Sequence, residues 1–264
     1  MAVAEREHAA VEVVDLETTP LRELNQRLHD LRADAESASA DPASRQPLKP
    51  PPHGGGIVAR ASGPRHWRVL NPSGAHALAC GLDAEIEVEI DGHVGYYCAG
   101  MNKLATVRVH GNASTGIAEN MMSGRVEVEG NVSQSAGATG RGGLLVVHGT
   151  ASSRCGISMK GIDIVVGGSV GHMSAFMAQT GCLVVCGDAG EALGDSIYEA
   201  RLYVRGSVAS LGADCIEKEL RDEHRAQVAG LLAAAEIDAD PAEFRRYGSA
   251  RQLYNFSIDN AAAY

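Results

Sequence analysis

The sequence predicts a mainly β protein: a single-stranded β-helix of about seven 19-residue coils, with a short N-terminal helix and C-terminal capping helices. Three observations support this prediction. A glycine recurs every 19 residues without an insertion, aliphatic residues precede it at period 2, and glycine is abundant (31 of 264 residues) while aromatic residues are scarce. The structural repeat glycines are Gly92, Gly111, Gly130, Gly149, Gly168, Gly187 and Gly206.

Two aliphatic columns precede these glycines and predict how the coils stack. Two residues before the glycine stand Ile90, Val109, Val128, Val147, Val166, Val185 and Val204. Four residues before it stand Val88, Val107, Val126, Leu145, Ile164, Leu183 and Leu202. A strand that returns at a fixed spacing lies on the equivalent strand of the preceding coil, so we expect both columns to point inward. The period is too short for a propeller blade or a helical hairpin repeat.

Small residues recur seven positions after each glycine and predict a corner where one backbone passes close to the next. They are Ala99, Ala118, Gly137, Gly156, Ala175, Gly194 and Ala213. A looser, largely apolar column ten positions after the glycine is predicted to line another inner wall. It comprises Asn102, Met121, Gly140, Met159, Ala178, Ile197 and Ile216.

The N-terminal end of the stack is predicted to be a strand followed by a helix. Thr19 is the expected N-cap and Pro20 the first helical residue, and leucines recur on one helical face at positions 21, 24, 28 and 31. A lone helix of this length is marginal, so it must pack somewhere, and a partner protein is a natural place. Residues 1–33 form this strand–helix segment, and residues 34–60 are rich in Pro, Ala, Ser and Gly and predict a flexible linker.

The β-helix domain is predicted over residues 61–213, followed by capping helices and a docking tail over residues 214–264. Residues 215–237 are predicted to form one helix. A second short helix is expected with Asp240 as N-cap, Pro241 at its first position and Gly248 at its end. The tail is too apolar to be free, so we expect it to dock on this chain or another. Its apolar residues are Leu253, Tyr254, Phe256 and Ile258.

Composition excludes several classes of partner. The formal net charge of −10 argues against binding to nucleic acid or to an anionic membrane. No apolar run approaches the 18 residues of a membrane span, and the N-terminus has no secretory pattern, so we expect a cytoplasmic protein. Six cysteines occur without a C-x-x-C pair, which indicates reduced thiols.

The sequence offers no catalytic constellation, so no catalytic, cofactor-binding or metal residue is expected on this chain. The glycine-rich stretch 137–143 is typical of a phosphate loop, but the repeat columns account for its glycines. His110, Glu129 and His148 share one column, where coils two apart are too distant for a common metal, so a surface His–Glu–His ladder is expected.

The outward column three residues before each glycine suggests an interface. It begins with the charged residues Glu89, Arg108 and Glu127. It then becomes an apolar strip that must be covered, by the helix of residues 215–237 or by another subunit. This candidate interface comprises Val146, Val165, Val184 and Tyr203.

Large residues beside the small corner are contact candidates, although ordinary packing also explains them. They are Tyr96, Tyr97, Met101, Phe176 and Met177.

The repeating coils resemble the GXGXG β-helix domain at the C-terminal end of glutamate synthase large subunits. The same module forms the C subunits of formylmethanofuran dehydrogenases and of the related formyltransferase/hydrolase complexes. Longer motifs are similar to the stand-alone B subunits of N-methylglutamate synthases, over nearly the whole chain except the linker. These motifs include "GHVGYYCAGM", "AENMMSGRVEVEGN", "GATGRGGLLVVHG", "CGISMKGIDIVVGGSVGHMSAFMAQ", "GDAGEALGDSIYEARLYVRG", "DLETTPLRELNQRLHDL" and "RRYGSARQLYNFSIDNA".

The resemblance implies a subunit of a three-subunit enzyme that converts methylamine and L-glutamate to N-methyl-L-glutamate and ammonia. One partner would be a class II glutamine amidotransferase-like subunit. The other would be a glutamate synthase-like subunit that binds FMN and, in the relatives, an iron–sulfur cluster. The resemblance implies that this chain is a non-catalytic scaffold between them, in a hetero-oligomer, and carries no cofactor itself.

Three alternatives remain at this point. The chain can be a glutamate synthase domain-3-like subunit, or one of the C subunits of formyl-transferring complexes. A left-handed β-helix acyltransferase is a third interpretation, but those enzymes repeat every six residues and 19 is not a multiple of six.

Overall fold

The computed structural model describes residues 11–37 and 65–252, in which one 11-stranded sheet runs the length of the molecule. The strands are β1 (Val11–Asp15), β2 (His66–Leu70), β3 (Glu87–Asp91), β4 (Thr106–Val109), β5 (Arg125–Val128), β6 (Leu144–Val147), β7 (Lys160–Val166), β8 (Thr180–Val185), β9 (Arg201–Val204), β10 (Cys215–Lys218) and β11 (Arg245–Ser249). The helices are α1 (Leu21–Ser37), α2 (Asp222–Ala234) and a 3₁₀ turn (Pro241–Glu243). All neighbours from β1 to β9 are parallel, which confirms the predicted solenoid.

The two aliphatic columns form the inward ladders that the sequence predicts. Val88, Val107 and Val126 are direct partners across three strands, and the column continues through Leu145 to Leu202. Every member of both columns is at most 1% exposed. Two residues after the repeat glycines, a one-residue-wide ladder of parallel bridges runs from Val94 to Val208 and closes the opposite side of each coil. The core is therefore a continuous aliphatic rod.

The repeat glycines lie beside a polar ladder that holds successive coils in register. The residue after each of the first six glycines accepts a hydrogen bond, through its side chain, from the backbone N–H of the equivalent residue one coil later, at 2.7–3.4 Å. A Cβ on Gly168 would lie 2.5 Å from Thr150 Oγ1 and 2.8 Å from the Gly149 carbonyl oxygen. Only glycine fits there. The accepting residues are His93, Asn112, Asn131, Thr150, Ser169 and Asp188.

The small corner has an unusual backbone that explains its composition. Ala99, Ala118 and Ala175 have φ between 51° and 56°, in the left-handed region, and residues two positions before and after them do so as well. Backbone donors two residues apart on the corner turn to opposite neighbours: Ala118 N–H donates to Cys98 in the preceding coil and Asn120 N–H to Ala138 in the next. Each left-handed non-glycine residue costs about 1–2 kcal/mol, which coil-to-coil bonding must offset.

Helix α1 closes the N-terminal end of the rod on this same chain. Its leucine stripe is buried in the core, with Leu24 at 0% and Leu28 at 2% exposed. The Asn25 side chain pairs backbone groups of the first corner that a preceding coil would otherwise pair. Its amide N–H donates to Ala77 O at 2.9 Å, and its oxygen accepts from Ala79 N at 3.0 Å. The helix therefore packs on the first coils of its own chain, and it begins at Leu21, one residue later than predicted.

The C-terminal end differs from the prediction. Residues 215–218 are strand β10, and helix α2 begins only at Asp222. Asp240 does cap the following turn, by accepting from Ala242 N–H at 2.9 Å, but this turn is a three-residue 3₁₀ helix, and Gly248 lies inside strand β11. Strand β11 pairs antiparallel with β9 and with β10, so non-local pairing overrides the local helical pattern. The reversed strand β11 also ends the parallel stack.

Several predictions lie outside the described residues. They concern the tail residues Leu253, Tyr254, Phe256 and Ile258 and most of the predicted linker of residues 34–60. Residues 34–37 of that linker are described and belong to helix α1 instead, and residues 38–60 are outside. Of the helices in residues 11–37 and 65–252, none has the length and apolarity needed to cross a bilayer.

We predict that Gly168→Ala destabilises the protein by about 1–3 kcal/mol, because the added methyl group overlaps the polar ladder and the preceding carbonyl. Gly230→Ala is the matched control. Gly230 lies within α2, where an added Cβ has nothing within 4 Å, so the same substitution stabilises by roughly 0.5–1 kcal/mol through helix propensity. Urea unfolding followed by circular dichroism measures the change in the free energy of unfolding for both variants. Equal changes for Gly168→Ala and Gly230→Ala would contradict the explanation given for the repeat glycines.

Candidate functional surface

The outward column of the sheet forms one continuous row across the structure. Strand pairing places Val13, Arg68 and Glu89 at its start, on strands β1 to β3. Arg108 and Glu127 follow, then the apolar strip. The row continues beyond the sequence-predicted column and ends with Arg246 and Lys218. The outer face thus has a charged region, an apolar region and a cationic end.

Glu127 is the centre of the charged region. Its Oε2 accepts from Arg125 Nη2 at 2.9 Å, and its Oε1 lies 2.7 Å from His148 Nε2. Burial raises the pKa of Glu127, but the hydrogen bonds from His148 and Arg125 outweigh it, so the pKa lies below its ordinary value. His148 therefore faces Glu127, whereas Glu129 pairs with His110 at 2.7 Å, and the predicted His–Glu–His ladder is two separate pairs.

The apolar strip is covered by the chain's own helix α2. Val146, Val165, Val184 and Tyr203 are each 0% exposed. They form a second hydrophobic cluster with α2 and the segment after it. The residues that cover them include Val228, Leu232, Ala235 and Phe244. The sequence left two possible covers for this candidate interface, the chain's own C-terminal helix or another subunit, and the structure shows the chain's own helix.

Polar contacts fix α2 on the strip. Tyr203 Oη donates to Gln227 Oε1 at 2.8 Å, and Arg201 Nη1 donates to the same oxygen at 3.2 Å. At the other end, Arg125 Nη1 donates to the carbonyl of Ala234, in the last turn of α2, at 2.6 Å. A cation at a helix C-terminus is favourable because the terminal carbonyls are otherwise unpaired and carry partial negative charge. The charged region and the helix cover are therefore linked through Arg125.

A different surface, on the left-handed corner of residues 97–101, exposes aromatic and sulfur side chains. Tyr96 and Tyr97 are each 48% exposed, and Met101 is 54% exposed. The Tyr96 ring stacks on His76, with centroids 4.6 Å apart and planes 5° apart. The Tyr97 ring lies beside Gly116, where a Cβ would approach it to 2.7 Å. We call Tyr96, Tyr97 and Met101 the aromatic corner. Met177 is 45% exposed on a later coil, and Phe176 is half-buried.

The glycine-rich stretch 137–143 packs within the repeat. A Cβ on Gly137 would lie 2.7 Å from Ile164 Cδ1, and one on Gly143 would lie 2.7 Å from the Gly124 carbonyl oxygen. Contacts with neighbouring coils therefore account for these glycines.

The cysteines are free thiols, five buried and Cys80 partly exposed. Burial raises the pKa of Cys155 and of Cys182 to about 12, so both are protonated at neutral pH. Within residues 11–37 and 65–252, His, Cys, Asp and Glu side chains form no group of three suited to holding a metal ion.

The sequence prediction missed a cationic cleft between β9, β10 and β11. Arg201, Lys218, Arg246 and Arg251 line it, and it opens to solvent. The four residues are spread over 51 positions, and they meet only because β11 lies between β9 and β10. The sequence does contain a local excess of Arg in "EFRRYGSAR", but this excess does not reveal the strand pairing that forms the cleft.

Comparison with curated proteins finds a close relative. The chain is 58% identical over 253 residues to Protein GlxC of Rhizobium meliloti (strain 1021), and the match covers 96% of this chain and 99% of that protein. The relative's name states no activity. No protein-family model matches the sequence.

We predict that Val165→Glu destabilises the chain by about 3 kcal/mol or more and detaches α2, because the carboxylate would be buried among aliphatic side chains without a partner. Val13→Glu is the control: it makes the same change in the same row at a residue that is 56% exposed, and its effect stays within about 0.5 kcal/mol. Urea unfolding and limited proteolysis at α2 measure the difference. A Val165→Glu chain with wild-type stability contradicts this packing.

Proposed function

This chain belongs to the family that includes Protein GlxC of Rhizobium meliloti, and from that premise we propose that it is the non-catalytic scaffold subunit of a cytoplasmic N-methylglutamate synthase. In this proposal the complex converts methylamine and L-glutamate to N-methyl-L-glutamate and ammonia. The chain joins a class II glutamine amidotransferase-like subunit to an FMN-binding, glutamate synthase-like subunit. FMN and any iron–sulfur cluster lie on the latter.

The observation that carries the proposal is the unbroken stack of coils. Hydrogen bonds connect each coil to the next through the strands, the polar ladder and the left-handed corner. Such a rod is rigid because every coil is held on both faces, and stacked repeats present extended surfaces. Its interior is filled with aliphatic side chains, so contacts with other molecules must be made by its outer surface. These properties suit a subunit that fixes the distance between two others.

The aromatic corner is the surface that we assign to contact with a partner subunit. Tyr and Met are enriched in the cores of protein interfaces, and rigid aromatic residues contribute most of the binding energy in many of them. Tyr96 is already held by its stack on His76, and Tyr97 by its position beside Gly116, so little side-chain freedom is lost on binding. The charged region of the outer face, which remains open beside α2, borders the same early coils.

The alternatives differ in partners and in reaction. A glutamate synthase domain-3-like subunit would assemble with similar subunits and make glutamate from 2-oxoglutarate. A relative of the C subunits of formylmethanofuran dehydrogenase or formyltransferase/hydrolase complexes would assemble with formyl-transferring subunits. The family membership favours none of these over another, and the longer motifs shared with N-methylglutamate synthase B subunits lead us to prefer the first proposal.

We predict that the tagged full-length chain, co-expressed with the two proposed partners, purifies with both and that the complex forms N-methylglutamate from methylamine and glutamate. The double variant Tyr97→Ser, Met101→Ser keeps its stability, because both side chains are half-exposed, but binds a partner at least about tenfold more weakly. Leu211→Ser, which removes a 37% exposed apolar side chain from the last coil, is the control and leaves binding unchanged.

Two outcomes contradict the proposal. If the chain alone forms N-methylglutamate, it is a catalyst rather than a scaffold. If the double variant and the Leu211→Ser control assemble equally well, the aromatic corner is not the contact surface. Product analysis by mass spectrometry, with 2-oxoglutarate supplied in place of glutamate, separates this proposal from the glutamate synthase alternative.

A further inference from the structure

The outer row of the sheet ends with two cations placed side by side. Lys218 on β10 is the direct partner of Arg246 on β11, which is in turn the partner of Tyr203 on β9. Directly paired residues in antiparallel strands point to the same face, and like charges placed this way repel each other. Burial, and then the charges of Arg246 and Arg251, lower the pKa of Lys218. The arrangement is unfavourable unless something neutralises it.

Arg246 is the strongest indication that an anion is missing. Its side chain is 9% exposed, and Nη1 donates to the Glu219 carbonyl oxygen at 3.4 Å. Its Nε has no hydrogen-bond partner, and the guanidinium forms no ion pair with any residue in the described ranges. A buried cation without a counter-charge is costly, and arginine geometry fits the two oxygens of a carboxylate or phosphate.

The cationic cleft lets an anion approach these cations. It is a small recess with room for about one water-sized group, such as one oxygen of an oxyanion, and it opens to solvent. Glu199 is the one acidic residue among those that line it, against four cations. In a chain with a formal net charge of −10, this concentration of positive charge is local and opposite in sign to the whole. An anion is attracted here and repelled elsewhere.

Gly248 leaves the cleft open. It lies on the same face as Arg246, two residues further along β11, and pairs with Ile216. A Cβ on Gly248 would lie 3.6 Å from Lys218 Cδ and 3.7 Å from the Ala200 carbonyl oxygen, which are ordinary contacts. Neither packing nor a left-handed backbone requires glycine at this position. A side chain there would instead occupy the cleft.

We propose that the cationic cleft is a binding site for a small oxyanion, in which Arg246 and Lys218 contact the oxygens while Arg201 and Arg251 line the walls. The ligand class is a carboxylate or phosphate group. The proposal does not depend on the scaffold function, because it concerns the full-length chain by itself.

The test is the midpoint of thermal unfolding of the full-length chain at constant ionic strength, set with chloride. Inorganic phosphate at 10 mM is expected to raise the midpoint by about 2–4 °C. Sodium acetate in a parallel titration distinguishes a carboxylate from a phosphate ligand, and a response to either one supports an oxyanion site. No response to phosphate and none to acetate overturns the proposal.

Three variants locate the site. Arg246→Gln is expected to abolish the response and to unfold no earlier than wild type in anion-free buffer, because it removes an unneutralised buried cation. Gly248→Val keeps all four cations but fills the cleft, and is expected to abolish the response as well. Arg154→Gln removes an exposed cation on a distant corner and is the control, with a wild-type response.

Two results would refute this assignment. An Arg246→Gln chain that is less stable in every buffer and still responds to phosphate shows that Arg246 serves packing only. A Gly248→Val chain with a wild-type response shows that the anion binds outside the cleft.

Discussion

The structure depends on one constraint: each coil must place its backbone donors and acceptors opposite those of its neighbours, 19 residues away. The constraint is tightest at the repeat glycines, where the preceding coil's carbonyl and polar side chain leave no room for a Cβ, as at Gly168. The inward valines contribute the free energy of burial, and a shift of one residue would turn them outward. The polar ladder specifies the same register, because such a shift would also separate each side-chain acceptor from its backbone donor.

Much of the fold is predictable from the sequence because the repeat makes non-local pairing periodic. The inward columns, the glycines and the small corner can all be read from residue spacing. The polar ladder was missed, although His93, Asn112 and the residues after them are all hydrogen-bond acceptors at one column. The prediction of a helix from residue 215 was wrong for a physical reason. Residues 215–218 become a strand only through pairing with residues 245–249, and no period connects those two segments.

The candidate surfaces, too, were predictable where they follow the repeat and not where they depend on non-local pairing. The outward column was visible in the sequence, and so was the need to cover Val165 and Val184. Which element covers them depends on where α2 lies after strand β10, and in the structure α2 packs on these residues. The aromatic corner was predicted only as contact or packing, and the half-exposed rings of Tyr96 and Tyr97 favour contact. The cationic cleft required three-dimensional information, because its cations come from three strands and from the bend after β11. A rigid rod with separate surfaces on its side and at its end agrees with a role in assembly.

The most direct measurement of this account compares two deletions near the N-terminal end of the stack. Removing residues 93–111 takes out one whole coil of 19 residues and joins Gly92 to Asn112, so every column remains in register. Removing residues 93–110 takes out 18 and displaces the following columns by one position. Urea unfolding followed by circular dichroism is expected to show one cooperative transition for the first chain and a largely unfolded second chain. Equal stability of the two chains would contradict the claim that the 19-residue register holds this molecule together.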